Sequence, residues 1–202
     1  MTLSDYLDQQ NKKHLILDFD NTLFRLELPW ENWDKRMRFD LIELDANLYH
    51  DYERSRVGLT DFVMGLSQIQ NEYVSRYGQK ALKIIRENNE QFETLELTGF
   101  SLNKELYKLV KENHKYSYSL WSSNTRKAIM PILELHDLVD RFTTIVTRSD
   151  VDLLKPDTEG FDKYIYTYGS NLNDYLMIGD SDSDMGAATN AGIDFYRETF
   201  FR

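Results

Sequence analysis

Apolar segments alternate with helix-forming segments over the second half of this 202-residue chain, and no other feature of the sequence limits its fold as much. The apolar segments predict strands at 14–17, 116–121, 142–147, 175–178 and 193–196. The segments before and between the last four strands predict helices at 101–113, 124–135, 159–168 and 182–191. Strands separated by single helices pair in parallel, because each crossover returns the chain to the same end of the sheet. The sequence therefore predicts an α/β fold in which a parallel sheet carries helices on both faces.

Residues 25–97 interrupt this alternation with helical periodicity alone. Their apolar side chains recur at three- and four-residue steps, which is typical of amphipathic helices. A helix start is predicted at 60–62, a stop at Gly78, and a further helix around 80–92. We therefore expect a core formed by residues 1–24 and 98–202, and a helical insert formed by residues 25–97.

The charge balance and the absence of one residue type exclude several classes of protein. Asp and Glu outnumber Lys and Arg by 34 to 24, a formal net charge of -10, which argues against a nucleic-acid duplex as a partner. The sequence has no cysteine, which excludes disulfides, thiolate zinc sites and cysteine nucleophiles. No apolar run approaches the roughly 18 residues of a membrane-spanning helix. We expect a cytoplasmic protein that does not bind membranes.

Two carboxylates directly follow the first predicted strand. Asp18 and Asp20 are two residues apart in an extended segment, so both side chains can face one cavity. At a separation of about 4 Å and an effective dielectric of about 20, such a pair repels by roughly 4 kcal/mol. A fold keeps the pair by protonating one acid, by hydrogen-bonding it or by binding a cation. A strand end followed by an Asx turn is the purely structural alternative.

A second acidic cluster follows the strand predicted at 175–178 and opens a helix. Its sequence is Gly179-Asp180-Ser181-Asp182-Ser183-Asp184. Helix capping explains one of these acids but not three within five residues. Because the carboxyl ends of parallel strands share one edge, we expect an oxygen cage there formed by Asp18, Asp20, Asp180 and Asp184. A few carboxylates, with room for waters and a phosphate, suit Mg²⁺ better than Ca²⁺.

Two further strand ends supply groups that hold an anion. Ser122, Ser123 and Asn124 lie where a strand passes into a helix, and hydroxyls with free backbone N–H groups bind anions there, although an ordinary N-cap is the alternative. Pro156 favours an extended conformation at Lys155, which could direct the ammonium, although a solvated lysine is the default for this pair taken alone. With the acids, these groups meet the needs of attack on a phosphoryl group: a nucleophilic carboxylate, an acid that later activates water, and stabilising cations.

The four segments resemble the motifs of the haloacid dehalogenase superfamily of phosphatases. Asp18-Phe19-Asp20-Asn21-Thr22 resembles the first motif, Asp-x-Asp-x-Thr, and Trp121-Ser122-Ser123 resembles the second. Lys155-Pro156 resembles the third, and residues 179–184 resemble the fourth, Gly-Asp-x-x-x-Asp. The resemblance covers residues 15–24 and 99–194. It implies a Rossmann-like three-layer core with a parallel sheet, and an α-helical cap inserted between the first two motifs.

The resemblance also implies a role for each matched residue. Asp18 would form an aspartyl-phosphate, Asp20 would be the general acid and base, and Lys155 would neutralise the nucleophile and the phosphate. Either Ser122 or Ser123 would be the hydroxyl of the second motif. The implied phosphate-binding residues are Asn21, Thr22, Ser122, Ser123, Asn124 and Lys155. The implied ligands of Mg²⁺ are Asp18, Asp20 (through its backbone carbonyl), Asp180 and Asp184.

The resulting hypothesis is a Mg²⁺-dependent phosphomonoester hydrolase that acts on a small phosphorylated metabolite. A phosphomutase of the same family, similar to β-phosphoglucomutase, would use the same core, but no mutase-type cap motif is evident. A catalytically idle, phosphoryl-binding regulatory protein is the other alternative, although every acid of the site is present. Arg54 and Arg56 in the insert are candidates for contact with an anionic substrate. The sequence makes no prediction of the oligomeric state.

Overall fold

A computed structural model describes residues 2–59, 65–167 and 170–201, apart from the side chain of residue 34. The strands are β1 (His14–Leu17), β2 (Phe24–Glu27), β3 (Gly99–Leu102), β4 (Ser117–Trp121), β5 (Phe142–Val146), β6 (Tyr175–Gly179) and β7 (Asp194–Arg197). The α-helices are α1 (Leu3–Gln9), α2 (Trp30–Arg56), α3 (Leu66–Tyr77), α4 (Gln79–Leu95), α5 (Lys104–Glu112), α6 (Arg126–Leu135) and α7 (Asp182–Ala191).

The five predicted strands form one parallel sheet in the order β5-β4-β1-β6-β7. Strand β1 lies at the centre, and its alternate side chains are buried in two separate apolar clusters. Leu15 and Leu17 pack with side chains of α1, α5 and α6, whereas Ile16 packs with side chains of α7 and of the segment after β5. Burial on both faces explains why β1 reads as an unbroken apolar run, and it confirms the predicted α/β fold.

Helices α2, α3 and α4 share a third apolar cluster, centred on Trp33, Tyr73 and Phe92. Helix α2 is interrupted at Asp45, where φ is -158° and ψ is 97°. The hydroxyl of Tyr73 donates to the carbonyl oxygens on either side of that break, at 2.9 Å from Leu41 and 2.6 Å from Asp45. Gly78 ends α3 with a φ of 55°, as predicted, whereas the start predicted at 60–62 lies outside the described residues.

An antiparallel ribbon of β2 and β3 joins the helical insert to the core, and the sequence did not predict it. The helix predicted from residue 101 was wrong in its start. Ser101 lies in β3, and α5 begins at Lys104 after Asn103, whose side chain accepts from the first backbone N–H groups of the helix. Phe100 packs edge-on against Phe24 across the ribbon, at 5.8 Å between ring centroids. The division of the chain at residues 24 and 98 stays a prediction.

Two other predicted helices differ from those observed. The segment predicted at 159–168 contains a single π-helical turn at Phe161–Ile165, and the helix predicted from residue 124 begins at Arg126. Helix α6 continues through Pro131. No helix within the described residues combines the length and the apolar composition needed to cross a bilayer.

Candidate active site

The acids that follow β1 and β6 meet at the carboxyl edge of the sheet. Leu17 of β1 is paired with Ile178 of β6, and the backbone N–H of Asp18 donates to the carbonyl oxygen of Ile178 at 2.9 Å. The two chain segments therefore leave the sheet side by side. Asp18, Asp180 and Asp184 each place one carboxylate oxygen within 4.8 Å of the other two. The structure thus brings together three of the predicted acids, which come from distant parts of the sequence.

Lys155 lies at the centre of this cluster. Its ammonium donates to Asp18 at 2.7 Å, to Asp184 at 2.5 Å and to the carbonyl oxygen of Trp121 at 2.8 Å. The side chain is 2% exposed, so water does not solvate the charge. Burial opposes ionisation of Lys155, but Asp18 and Asp184 outweigh it and raise the pKa of the ammonium. The acid cluster therefore contains a lysine whose charged form is favoured by the two carboxylates that it contacts.

Asp184 reaches this position because α7 begins next to it and because Gly179 has no side chain. Asp184 accepts from the backbone N–H of Ser181 at 3.1 Å, and its own N–H donates to the hydroxyl of Ser181 at 3.2 Å, which forms a reciprocal helix cap. A Cβ on Gly179 would lie 2.5 Å from the Cγ of Asp184. The glycine of the fourth motif is thus required for the close approach of the carboxylate to the strand.

Asp20 faces the same cavity but stands apart from the three-carboxylate cluster. Its Oδ1 accepts from the backbone N–H of Leu26 in β2 at 2.7 Å, so the ribbon fixes the side chain. Burial raises the pKa of Asp20 to about 7, and the charges of Asp180 and Glu93 add to this effect. The acid is therefore poised near neutral pH, as a group that gives and later takes a proton must be.

Burial also raises the pKa of Asp18, to about 8, with Lys155 opposing the rise and Asp184 adding to it. The cause is loss of hydration, which penalises the charged form. A divalent cation among the carboxylates would lower this pKa, because a nearby positive charge favours the carboxylate. The three oxygens are the kind of ligand that Mg²⁺ prefers, so the donor set fits this ion.

The loop after β4, residues 122–125, presents Ser123 rather than Ser122 to the cavity. The hydroxyl of Ser122 is buried, donates to the side chain of Asn124 at 3.0 Å and accepts from the Asn124 backbone N–H at 3.0 Å. Ser123 and Asn124 line the cavity. No described residue accepts a hydrogen bond from the N–H or the hydroxyl of Ser123. Ser123 thus carries the donors of this loop that remain available to an anion.

The cavity has a volume of about 550 Å³ and lies between the sheet edge and the helical insert. Its walls from the insert include Trp30, Trp33 and the first residues of α3, and its floor includes Asn21, which has a φ of 60°. Four predicted site residues are missing from the described residues that line the cavity: Thr22, Arg54, Arg56 and Ser122. Thr22 is fully buried, and Arg56 packs over the ring of Tyr52.

Sequence reasoning missed two charged residues beside the cavity, Arg148 and Glu93. Arg148 follows β5 and lies at the same sheet edge as the predicted residues, so the strand-end rule applied to cations would have found it. Glu93 lies on α4 and is fully buried. Nothing in the sequence distinguishes Glu93 from the exposed acids of the same helix. The two residues face each other at 3.7 Å between Arg148 Nε and a carboxylate oxygen of Glu93.

Comparison with known proteins agrees with this geometry. The sequence model of the haloacid dehalogenase-like hydrolases matches residues 15–197. The pyrophosphatase PpaX of Halalkalibacterium halodurans is 31% identical over 90 residues, and the match covers 44% of this chain and 42% of that protein. The chain thus matches less than half the length of this curated relative.

Solved structures with similar folds include YfnB from Bacillus subtilis bound to magnesium, with a TM-score of 0.53 and 18% identity over 92% of this chain and 86% of that one. CbbY from Rhodobacter sphaeroides in complex with phosphate has a TM-score of 0.56 and 14% identity over 95% and 88% of the two chains. At these identities the structures show the fold alone. The family match over residues 15–197 shows that this chain belongs to the haloacid dehalogenase-like hydrolases.

Proposed function

We propose that the protein is a Mg²⁺-dependent phosphomonoester hydrolase that acts on a small phosphorylated metabolite through an aspartyl-phosphate on Asp18. The observation that carries this proposal is the position of Asp18, which shares a hydrogen bond with buried Lys155 and lies beside Asp180 and Asp184 at the edge of one cavity. An attacking carboxylate needs a cation beside it and a group that protonates the leaving oxygen. Lys155 and Asp20 supply these two functions.

Two transfers complete the reaction. In the first, a carboxylate oxygen of Asp18 forms a bond to phosphorus while the bond to the leaving oxygen breaks, and Asp20 gives its proton to that oxygen. In the second, ionised Asp20 takes a proton from water, the water oxygen bonds to phosphorus, and the bond to Asp18 breaks. Inorganic phosphate leaves and both acids return to their initial states.

The remaining groups bind the phosphoryl oxygens. Ser123 offers a hydroxyl and a backbone N–H beside Asn124, and Lys155 offers its ammonium. Asp18, Asp180 and Asp184 would hold Mg²⁺, which supplies positive charge to the phosphoryl oxygens when it is bound. The walls that Trp30 and Trp33 contribute suit a small organic group on the leaving side.

Release of inorganic phosphate tests the proposal. We expect turnover of p-nitrophenyl phosphate and of at least one compound in a panel of phosphorylated metabolites that includes inorganic pyrophosphate, with loss of turnover in EDTA and recovery in excess Mg²⁺. The pyrophosphate is included because curated relatives carry that activity in their names. Isomer formation without phosphate release would select the phosphomutase instead, and folded protein that turns over no phosphate with saturating Mg²⁺ would reject catalysis.

The raised pKa of Asp20 gives a prediction for the pH profile of kcat/KM. The first transfer needs protonated Asp20, so kcat/KM should fall as the pH rises through about 7. Asp20→Asn should remove the proton donor and, with it, the fall of kcat/KM above about pH 7. We expect a loss of about 10²–10⁴-fold in kcat/KM for substrates with poor leaving groups. The measurement is kcat/KM between pH 5 and 9 for such a substrate. A profile that stays flat through pH 7 would contradict the assignment of Asp20.

A further inference from the structure

We propose that Glu93 and Arg148 are positioning residues that hold the loop 122–125 in the orientation that binds the phosphoryl group. The inference rests on the proposed function, because it assigns these residues to the phosphate subsite of that reaction. Glu93 comes from helix α4 of the insert and Arg148 from the segment after β5. Each is at least nine-tenths buried, and both hydrogen-bond to backbone groups of the loop.

Glu93 fixes the end of the loop at the start of α6. One carboxylate oxygen accepts from the backbone N–H of Thr125 at 2.5 Å and from the hydroxyl of Thr125 at 2.8 Å. The other carboxylate oxygen, Oε1, is buried and lies 3.7 Å from Arg148 Nε. An anion at the first N–H groups of a helix is favoured by the helix dipole. Because the N–H of Thr125 donates to Glu93, it is not available to a ligand, and Ser123 is the donor of the loop that faces the cavity.

Arg148 fixes the middle of the loop from the other side. Its Nε donates to the carbonyl oxygen of Ser123 at 2.7 Å, and its backbone N–H donates to the carbonyl oxygen of Asn124 at 3.0 Å. A peptide unit whose carbonyl is held in this way cannot rotate, so the N–H of Asn124 stays on the opposite side, where it donates to the hydroxyl of Ser122. The orientation of two successive peptides is thus set by Arg148.

The pair is tied to the insert by a buried chain of amide groups. Arg148 Nη1 donates to Gln70 Oε1 at 2.5 Å, Asn89 donates to the same oxygen at 3.1 Å, and Trp33 Nε1 donates to Asn89 Oδ1 at 2.8 Å. These contacts join α2, α3 and α4 to the loop. The phosphate subsite is therefore complete only when the helices of the insert are docked on the core.

The chemistry of Glu93 and Arg148 suits residues that orient the loop 122–125 better than residues that only hold the insert against the core. Burial raises the pKa of Glu93 and lowers the pKa of Arg148, which shows that both side chains lose hydration in the folded protein. An apolar pair would hold two units together without this desolvation penalty. Hydrogen bonds to fixed backbone groups, by contrast, orient the groups that contact the substrate, and a misplacement of about 1 Å there costs on the order of 10²-fold in rate.

Four variants test the inference. Glu93→Ala removes the acceptor, and Thr125→Val removes the hydroxyl donor while it preserves shape. We expect each to raise the dissociation constant of inorganic phosphate, measured by titration calorimetry in MgCl₂, by at least about tenfold, and Glu93→Ala to lower kcat/KM by about 100-fold. Glu93→Gln keeps an oxygen acceptor for Thr125 and should recover most of this loss. Glu90→Gln is the matched control, since Glu90 also joins α4 to α6 but pairs with exposed Lys127.

The outcomes separate this inference from the proposed function. Wild-type protein that binds phosphate but does not turn over any ester contradicts the proposed function, and the binding measurements still test the positioning pair. Folded Glu93→Ala and Thr125→Val proteins that bind phosphate within twofold of the wild type would overturn the inference, as would a wild type that does not bind phosphate. If Glu93→Ala does not fold, Thr125→Val decides by the same criterion.

Discussion

Asp18→Asn is expected to lower kcat by about 10⁴-fold or more, because the amide cannot form the bond to phosphorus. Asp18 contacts Lys155 and lies beside Asp180 and Asp184. Because the asparagine amide has nearly the same size as the carboxylate, the loss of activity should not come from a change in fold. Phosphate release under saturating Mg²⁺ measures the effect. Asp51→Asn, which removes an exposed carboxylate of α2, is the control and should leave kcat unchanged.

Asp18→Asn, which should lower activity, should maintain or raise the stability of the folded protein. The folded-state pKa of Asp18 is about 8, above its ordinary value of 3.8, so ionisation of this acid costs stability as the pH rises between these values. The amide that replaces it is uncharged, and the Asp18→Asn variant should melt at or above the temperature of the wild type in EDTA at pH 7.5. Mg²⁺ should stabilise the wild type more than the variant. Substantial turnover by Asp18→Asn would show that another group is the nucleophile.

The convergence of Asp18 with Asp180 could be predicted because it follows from topology. Adjacent parallel strands end at one edge, and the acids come directly after those strands whatever the packing of the helices. Lys155 was predicted as a stabilising cation from its place beside Pro156, and the resemblance added its role as the partner of the nucleophile. Its contacts with two carboxylates depend on the path of the segment after β5, which has no regular pattern in the sequence.

Contacts between separate elements could not be predicted in this way. The choice between Ser122 and Ser123 depends on which hydroxyl meets the N–H of Asn124, a matter of loop geometry. Glu93 looks like any other acid on an amphipathic helix, and only the docking of α4 against α6 buries it. The ribbon was missed because β2 lies where the helical insert was expected to begin, and β3 overlaps the residues that were interpreted as the start of a helix.

Lys155→Met is expected to destabilise the protein by about 3–5 kcal/mol at pH 7.5 in EDTA and to abolish turnover. The substitution leaves Asp18 and Asp184 buried without the ammonium that contacts both. The raised pKa of Lys155 means that its contribution is fully present below the ordinary value of 10.5 and is lost only as the pH rises through its folded-state pKa. Urea unfolding of the variant and the wild type gives the difference.

The deficit should shrink under two conditions that supply positive charge to the carboxylates. At pH 5.5 a proton binds to Asp18, because its raised pKa is no longer lowered by Lys155, and at pH 7.5 Mg²⁺ among the three carboxylates replaces part of the lost charge. Lys12→Met is the matched control, because Lys12 is equally buried but its partner Asp194 is half exposed. That variant should lose less stability and show no recovery with Mg²⁺. A Lys155→Met protein as stable as the wild type in EDTA at pH 7.5 would mean that the carboxylates beside Lys155 are not negatively charged. Lys155 would then not stabilise an ionised Asp18, which the proposed nucleophilic role requires.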